Sequence, residues 1–331
     1  MSLLRELGGE DGCRRLAGEF YARVGQTAVL RPLFPGKSLR CATEEFAAFL
    51  IQFLGGDDEQ TQKRWWLSLR ESHARFRISA GQRSAWLECM RGTLDEAGLS
   101  EETRAAWGHV FVGSSRYVVG GDWAGAEHPE LGPRWKGQVV LDGAVAAIAS
   151  GDDEEAIAAA AGFAQRRTVF AGLLVRMMRS RRPALTGWVL GALGKDAGLA
   201  ESRFAGRTLL HDAAATGCLE VVKALLGMGV GANVLDRGGH TPLYAAGNEC
   251  GWPEGPDVVR ALVRAGADVH ACGGVTRATP LHMAARRGFV EIAEAMLECG
   301  ADPSARDRKG DTPLQRARNC RQEAILRLLL R

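Results

Sequence analysis

A short segment that begins Thr-Leu-Leu or Thr-Pro-Leu recurs four times in the second half of this 331-residue chain. The segments begin at Thr208, Thr241, Thr279 and Thr312, and successive starts lie 33, 38 and 33 residues apart. Self-similarity at a fixed period means that one small structural unit is stacked repeatedly. The second half is therefore expected to be a repeat array rather than a closed globular core.

The period of 33 residues and the segment TPLHMA at 279–284 resemble the ankyrin repeats. A second apolar stretch follows each of the first three openings and ends at a glycine, where a helix needs a left-handed residue: Gly229, Gly266 and Gly300. Four repeats exceed the minimum of about three that a continuous core needs. The resemblance implies a helical solenoid over residues 205–331 that binds a protein partner.

The 38-residue interval contains NECGWPEGP at 248–256, which is predicted to lengthen the turn between the two helices of its repeat. Trp252 in this turn is a candidate partner contact, and packing against its own repeat is the alternative. The other turn residues are mostly basic, which would favour an acidic partner, although ordinary solvated turns are the preferred explanation. These residues are Arg237, His240, Arg277, Arg306, Asp307, Arg308 and Lys309.

The first 120 residues have apolar side chains at helical spacing. The clearest case is 43–54, with Thr43 as the expected N-cap and Gly55-Gly56 as the stop. Its apolar face consists of Phe46, Phe49, Leu50 and Phe53. Similar patterns at 11–24, 83–97 and 102–119 predict further helices. Since aromatic stripes of this kind usually form a core, the pattern alone predicts only a helical domain.

Four segments taken in order resemble the truncated haemoglobins, and their second group in particular. They are LRELGGEDGCRRLAGEFYARV, LRPLFPG, FAAFLIQFLGG and SHARFRISAGQRSAWLECM, and the resemblance covers residues 3 to about 120. It implies a short globin that folds two helices over two around haem b. The expected fold is thus all-α, with an N-terminal truncated globin followed by an ankyrin-repeat solenoid.

The resemblance assigns His73 of SHARFRI as the axial ligand of the haem iron, because a haem iron needs a neutral imidazole nitrogen on one side. Without the resemblance, a single histidine in the polar run RESHARF is ordinarily a surface residue. On the opposite side the resemblance places Tyr21, beside Phe20, together with Trp86. A phenol O–H and an indole N–H there would stabilise bound oxygen, so tight and slow oxygen binding is expected.

The resemblance also assigns the walls of the pocket. Phe34 corresponds to the residue that packs flat on the haem, and Ala42 occupies a position where many globins carry a distal histidine. A small residue at position 42 would keep the entrance open. The remaining expected lining residues are Phe46, Phe49, Leu50, Phe76 and Ile78.

The chain departs from the family pattern between Gly56 and His73, where it reads QTQKRWWLSLRESH. The relatives usually carry Gly-His-Pro where this chain has Trp65-Trp66-Leu67. Adjacent tryptophans cannot both face inward on a helix, so at least one is expected to be exposed or to contact another domain.

The predicted domains are a globin at 1–123, a linker at 124–142, a degenerate helical cap at 143–204 and ankyrin repeats at 205–331. Residues 124–142 contain Gly and Pro without periodicity, which is typical of a linker. Residues 166–182 contain six arginines and no acidic residue. They are expected to form a cap helix with a solvated arginine face, or alternatively a basic helix that binds an anionic surface.

A formal charge of +3 indicates no general attraction to nucleic acid. No apolar run approaches the roughly 18 residues of a membrane span, and the N-terminus has no leader pattern, so a cytoplasmic location is expected. The eight cysteines are scattered, contain no C-x-x-C pair and are expected to be reduced.

The leading functional hypothesis is a globin that binds O2, NO or CO and is coupled to a protein-interaction domain, either as a gas sensor or as a targeted globin. The alternative is a haem enzyme, a peroxidase or a nitric-oxide dioxygenase, that its repeats localise. A third hypothesis is a scaffold whose globin has lost haem. Since neither G-x-G-x-x-G nor a βαβ pattern occurs, a reductase domain is not expected, and whether the protein is an enzyme stays open.

Overall fold

The computed structural model describes residues 2–34, 38–56, 67–121 and 128–330. The described residues form eighteen α-helices and one antiparallel two-stranded sheet. The chain divides into two compact units, residues 1–163 and 164–331, each with its own core. The expectation of an all-α fold is confirmed.

Unit 1 contains eight helices and one short 3₁₀ turn among its described residues. The helices are α1 (Leu3–Glu6), α2 (Gly9–Gln26), α3 (Arg40–Phe53), α4 (Leu69–His73), α5 (Ala80–Glu96), α6 (Glu101–Tyr117), α7 (Leu131–Ser150) and α8 (Asp153–Ala161). The 3₁₀ turn spans Arg31–Leu33. Helices α2 and α3 pack on each other, as do α5 and α6, and the core lies between them.

Helix α3 starts earlier than the sequence pattern indicated. Thr43 was expected to be the N-cap, but it lies one turn inside the helix, and its hydroxyl donates to the carbonyl of Leu39 at 3.1 Å. The N-cap position is occupied by Leu39 instead. Thr43 was misassigned because a threonine inside a helix can bond the carbonyl four residues earlier instead of capping. The C-terminal end was predicted correctly, and Gly55 follows with a φ of 78°.

Most of the described part of the predicted linker is helical instead of irregular. Residues 131–142 form the first part of α7, although the stretch contains Gly132 and Pro133. A proline in the first turn of a helix lacks only an N–H that would have no partner there in any case. Leu131 and Trp135 are fully buried in the core of unit 1, and this burial favours the helix over an irregular chain. Helix α8 packs on α7 within the same unit, whereas the sequence grouped residues 143–204 as a cap of the repeats.

Unit 2 consists of a helix pair, a short sheet and four further helix pairs. The first pair is α9 (Arg167–Ser180) and α10 (Pro183–Lys195), and a 3₁₀ turn (Ala197–Glu201) with strands β1 (Arg203–Phe204) and β2 (Arg207–Thr208) follows. The repeat pairs are α11 (Leu209–Thr216) with α12 (Leu219–Gly227), α13 (Pro242–Glu249) with α14 (Gly255–Arg264), α15 (Pro280–Arg287) with α16 (Val290–Glu298), and α17 (Pro313–Asn319) with α18 (Glu323–Leu329).

The recurring threonines are the N-caps of the first helix in each repeat. In the first repeat, Thr208 forms a capping box with His211, whose Nε2 donates to the carbonyl of His240 in the next repeat at 2.9 Å. His282 makes the equivalent bond to Asp311 at 2.9 Å. The histidine at this position therefore ties the first repeat to the second and the third to the fourth.

Two other details of the repeats agree with the sequence analysis. The glycines after the second helices have φ values of 87°, 89° and 90°, and they are Gly229, Gly266 and Gly300. The turn in the second repeat spans 250–254, whereas the first repeat uses only 217–218. In the longer turn, Trp252 is 46% exposed and the Arg181 guanidinium lies over its ring at 4.3 Å.

The arginine-rich segment forms α9, and its apolar side chains are buried in unit 2. These side chains are Phe170, Leu173, Leu174 and Met177. Since this face is covered, the structure supports a cap helix rather than a free surface that could enter a membrane interface. None of the helices in the described ranges is long and apolar enough to cross a bilayer.

Candidate functional site

An aromatic cluster lies between α2, α3 and α5 in unit 1 and contains most of the predicted pocket residues. Phe20 is at its centre and is only 1% exposed. The ring of Phe20 lies 5.0 Å from Tyr21, 5.5 Å from Phe46 and 5.2 Å from Trp86. Helix α2 thus brings together side chains from three helices in one apolar site.

The cluster extends from Phe20 to the predicted ligand. The ring of Tyr21 lies 5.7 Å from Phe34, and Phe34 lies 5.9 Å from Phe76. Phe76 in turn lies 6.3 Å from the imidazole of His73. Residues separated by more than 50 positions in sequence are therefore linked by ring contacts.

The other predicted lining residues lie on α3 or just before α5. Phe49 packs 6.4 Å from Phe46, and Leu50 is fully buried in the core. Ala42 on the first turn of α3 and Ile78 before α5 are half-buried, and neither belongs to the core cluster of the described residues. Phe111 of α6 is not among the predicted lining residues, yet its ring lies 5.8 Å from Trp86 and 6.3 Å from Phe46. Its helical spacing gave no means of separating a pocket residue from a core residue.

The imidazole of His73 is half-buried and hydrogen-bonded on one side. Its Nδ1 lies 2.8 Å from the carbonyl oxygen of Leu69 and 2.9 Å from the Ser72 hydroxyl. Since a carbonyl oxygen only accepts, Nδ1 carries the proton and donates to Leu69. The lone pair of the neutral ring is then on Nε2, which has no hydrogen-bond partner in the part of the chain that the structure describes.

Burial lowers the pKa of His73 below its usual value, because the charged imidazolium is poorly solvated there. The neutral ring is therefore the form present near pH 7. A neutral imidazole with one nitrogen fixed to a carbonyl and the other free is the arrangement that a metal ligand requires.

Two polar groups in the aromatic cluster also have no internal partner. Across the described ranges, neither the hydroxyl of Tyr21 nor the indole N–H of Trp86 makes a hydrogen bond, and their contacts are with rings. Burial raises the pKa of the Tyr21 phenol, and the carboxylate of Glu45 raises it further, so the phenol keeps its proton and stays a donor. Both side chains are half-buried, so their unpaired donors are available to a ligand or a solvent molecule.

The donor set fits a haem. It combines a single free imidazole nitrogen, an apolar aromatic wall and two unpaired donors. No group of three or more histidine, cysteine, aspartate or glutamate side chains within the described ranges is arranged to hold a metal ion by itself. The pair Trp65-Trp66 lies outside the described residues, so the expectation that one of them is exposed stays a prediction.

A second candidate site is a pocket of about 210 Å³ in the repeats, between α13, α15 and α17. Three arginines from different repeats line it together with polar side chains. The lining includes Arg207, Asp236, His240, Tyr244, Asn248, Glu249, Arg286 and Arg316. The rings of His240 and Tyr244 stack at 4.2 Å and form one wall.

The three arginines of this pocket differ in their partners. Arg207 pairs with Glu249 at 2.9 Å, and Arg316 pairs with Asp307. Asp307 had been counted among exposed turn residues, but its side chain is buried beneath Arg316. Arg286, in contrast, donates to the amide oxygen of Asn248 at 2.9 Å, and its Nε is buried without a partner among the described residues. Arg286 therefore carries a positive charge, and its hydrogen-bond acceptor, the amide of Asn248, is neutral.

Comparison with known proteins agrees with this division. The family model for bacterial-like globins matches residues 2–113, and the model for ankyrin repeats in three copies matches 179–271 and 250–331. The Group 2 truncated hemoglobin YjbI of Bacillus subtilis is 35% identical over 96 residues, which are 29% of this chain and 72% of that protein.

The second half is similar to much longer proteins. Human ankyrin repeat and SOCS box protein 16 is 39% identical over 117 residues, 35% of this chain and 25% of that protein. The mouse B-cell lymphoma 3 protein homolog is 34% identical over 125 residues, 38% of this chain and 27% of that protein. The chain thus covers about a quarter of each of these relatives, and the similarity to them concerns the repeats.

Proposed function

The chain belongs to the group 2 truncated haemoglobins and also carries C-terminal ankyrin repeats, and we propose that it binds a gas through haem and a protein partner through the repeats. The observation that carries the proposal is the free Nε2 of His73 in the same aromatic cluster as two unpaired donors, Tyr21 and Trp86.

His73 would hold haem b through Nε2. The carbonyl of Leu69 fixes the tautomer, because Nδ1–H donates to it at 2.8 Å. A histidine ligand whose other nitrogen donates to a carbonyl is a stronger and better oriented ligand than a free imidazole. Burial keeps this imidazole neutral, so it does not have to lose a proton near pH 7 before it binds.

When bound, haem supplies an iron with one open coordination position for O2, NO or CO. Tyr21 and Trp86 would donate hydrogen bonds to the polar gas ligand, since neither group has another partner in the described structure. Phe20, Phe34 and Phe46 would exclude water from the same space. A dry environment strengthens both hydrogen bonds, and slow release of oxygen is the expected consequence.

The repeats would bind a protein through the pocket between α13, α15 and α17. Arg286 lacks a carboxylate partner in the described structure, and a carboxylate from an acidic partner would satisfy its charge. Arg207 and Arg316 are already neutralised, so Arg286 is the residue that selects for an acidic group.

The fusion itself supports a sensor or a targeted globin, because a gas carrier needs no protein-binding surface. We also propose a cytoplasmic location, since all eight cysteines are free thiols, which a reducing compartment preserves.

Absorption spectra of the purified full-length protein, with and without O2 and CO, test the proposal. The wild-type protein and His109→Ala, which alters an exposed histidine of the same unit, should show a haem Soret band that shifts with CO. His73→Gly should lose the native band, and added imidazole should restore it if the fold is intact. A wild-type protein that does not bind added haem would refute the proposal, and rapid catalytic formation of nitrate from nitric oxide would favour the enzyme alternative.

A further inference from the structure

Helix α7 lies beyond the residues that match the globin family, yet it contacts both sides of the proposed pocket. Arg134 donates to the carbonyl of Phe53, the last residue of α3, at 2.9 Å. The indole of Trp135 packs against the rings of Phe53 and Tyr117 at 6.1 and 5.8 Å. The N-terminal part of α7 thus fixes the C-terminal end of the helix that carries Phe46 and Phe49.

The next turns of α7 hold the short helix that carries His73. Gln138 is almost fully buried and donates to the carbonyl of Leu67 at 3.0 Å and to Asp142 at 2.7 Å. Asp142 is 4% exposed, and its carboxylate accepts from the backbone N–H groups of Leu69 at 3.0 Å and Arg70 at 3.3 Å. These amides are at the start of α4, where a helix has no internal acceptors for its N–H groups.

The backbone of Leu69 therefore links Asp142 to His73, and its carbonyl also accepts from the Ser72 hydroxyl at 2.8 Å. Its N–H donates to Asp142, and its carbonyl accepts the Nδ1–H of His73. Any displacement of Asp142 moves the residue that sets the plane and the tautomer of the imidazole. The guanidinium of Arg70 adds to this rigidity, because it lies 4.0 Å above the ring of Tyr117 and donates to the Tyr117 carbonyl at 3.3 Å.

Burial of a carboxylate is unfavourable unless hydrogen bonds or charges compensate for its removal from water. Burial raises the pKa of Asp142, while the surrounding donors partly oppose the shift. Three donors are directed at the carboxylate, namely the backbone amides of Leu69 and Arg70 and the side-chain amide of Gln138. The group is therefore held by a dedicated set of hydrogen bonds instead of being left in the core by chance.

We propose that Asp142 and Gln138 are positioning residues for His73, and that α7 is consequently an integral part of the haem pocket whose stability depends on haem binding. The inference rests on the proposed role of His73 as the ligand. Its thermodynamic corollary is reciprocal: if α7 strengthens haem binding, haem binding must stabilise α7 by the same factor. Helix α7 also precedes the repeats in the chain. The helix that is expected to respond to haem is therefore separated in sequence from unit 2 only by α8 and a few residues.

Transfer of haem from the full-length protein to an excess of a high-affinity apoglobin tests the first part. Asp142→Asn keeps the size of the side chain but turns an NH2 group toward backbone donors. It should accelerate haem loss roughly 10- to 100-fold, the usual effect of disturbing a group that orients a metal ligand. Glu154→Gln removes the same charge from an exposed site on α8 and should have no effect. Gln138→Met, which removes one donor to Asp142, should give an intermediate rate of haem loss. It is the variant to test if Asp142→Asn does not fold.

A second readout separates positioning from general stability. In the ferrous protein without gas ligand, the iron–histidine stretching band in the resonance Raman spectrum should shift in Asp142→Asn and Gln138→Met, and not in Glu154→Gln. Hydrogen exchange of the full-length protein should show slower exchange throughout α7 when haem is added to the apoprotein.

The outcomes distinguish this inference from the proposed function. Loss of haem in His73→Gly together with unchanged haem release and an unchanged Raman band in both α7 variants would overturn only the role of α7. A wild-type protein that retains no haem would overturn both.

Discussion

Replacement of Tyr21 by phenylalanine should affect gas binding and protein stability in opposite directions. The phenol O–H has no hydrogen-bond partner in the described structure, and the ring makes edge contacts with Phe20 and Phe34 at 5.0 and 5.7 Å. Tyr21→Phe keeps these ring contacts and removes only the hydroxyl. Since no internal bond is broken, the free energy of unfolding of the apoprotein should stay the same or rise by up to about 1 kcal/mol.

The effect on oxygen should be larger and of opposite sign. A hydrogen bond to a ligand that carries partial negative charge contributes about 1.5–3 kcal/mol, and each 1.4 kcal/mol is tenfold in rate or affinity. Oxygen should therefore dissociate roughly 10- to 100-fold faster from Tyr21→Phe. Stopped-flow displacement of O2 by CO measures this rate, and urea unfolding of the apoprotein measures stability. Tyr244→Phe, which alters a tyrosine of the repeats, should leave the oxygen rate unchanged.

The reasoning would be refuted by a variant that unfolds more easily by 1 kcal/mol or more and releases oxygen at the wild-type rate. That result would mean that the hydroxyl is satisfied within the protein. The effect of Tyr21→Phe would then come from the loss of a hydrogen bond within the protein and not from the loss of a contact with the ligand.

The remaining predictions concern the second pocket donor and the repeats. Trp86→Phe should also accelerate oxygen release, by less than tenfold if Tyr21 still donates, and the same stopped-flow assay measures it. Burial lowers the pKa of His211 to about 4, so its neutral form stabilises the fold above pH 6.5 and this contribution is lost as the pH falls toward 4. Urea unfolding of the repeats should therefore show a loss of about 2 kcal/mol between pH 7.5 and pH 5. His211→Gln should reduce that loss, because Gln315 occupies the equivalent capping position in the fourth repeat without a titrating group; an undiminished pH dependence would contradict this. Arg286→Gln should weaken binding of a Glu-rich peptide to the full-length protein at least fivefold by calorimetry, whereas an effect equal to that of the exposed Arg287→Gln would show only general charge attraction.

The structure confirms sequence predictions that depend on local patterns. Gly229, Gly266 and Gly300 adopt the left-handed backbone expected after their helices, and this relation needs only a few residues of sequence. Helices α5 and α6 likewise begin close to their predicted starts, after Ser79 and Ser100, which both cap. The start of α3 was misplaced because the hydroxyl of Thr43 has two local alternatives, and the pattern could not choose between them.

The composition of the aromatic cluster was only partly predictable. The resemblance to truncated haemoglobins named Tyr21, Phe34 and Trp86, and the structure brings these three into one cluster. Spacing within one helix identifies an apolar face but does not say which other helix covers it, and Phe111 was missed as a neighbour of Trp86 for that reason. The roles of these residues as haem contacts stay predictions.

The sequence by itself determined the repeats, because they depend on residues at fixed, short separations along the chain, and its resemblance to the truncated haemoglobins named His73 as the histidine to be tested. The tertiary structure alone decided that α7 belongs to the globin unit. The bond from Leu69 to Asp142 spans 73 residues, and the bond from Leu3 to Glu130 spans 127. No period or motif encodes pairs so far apart, since only the folded core brings them within hydrogen-bond distance.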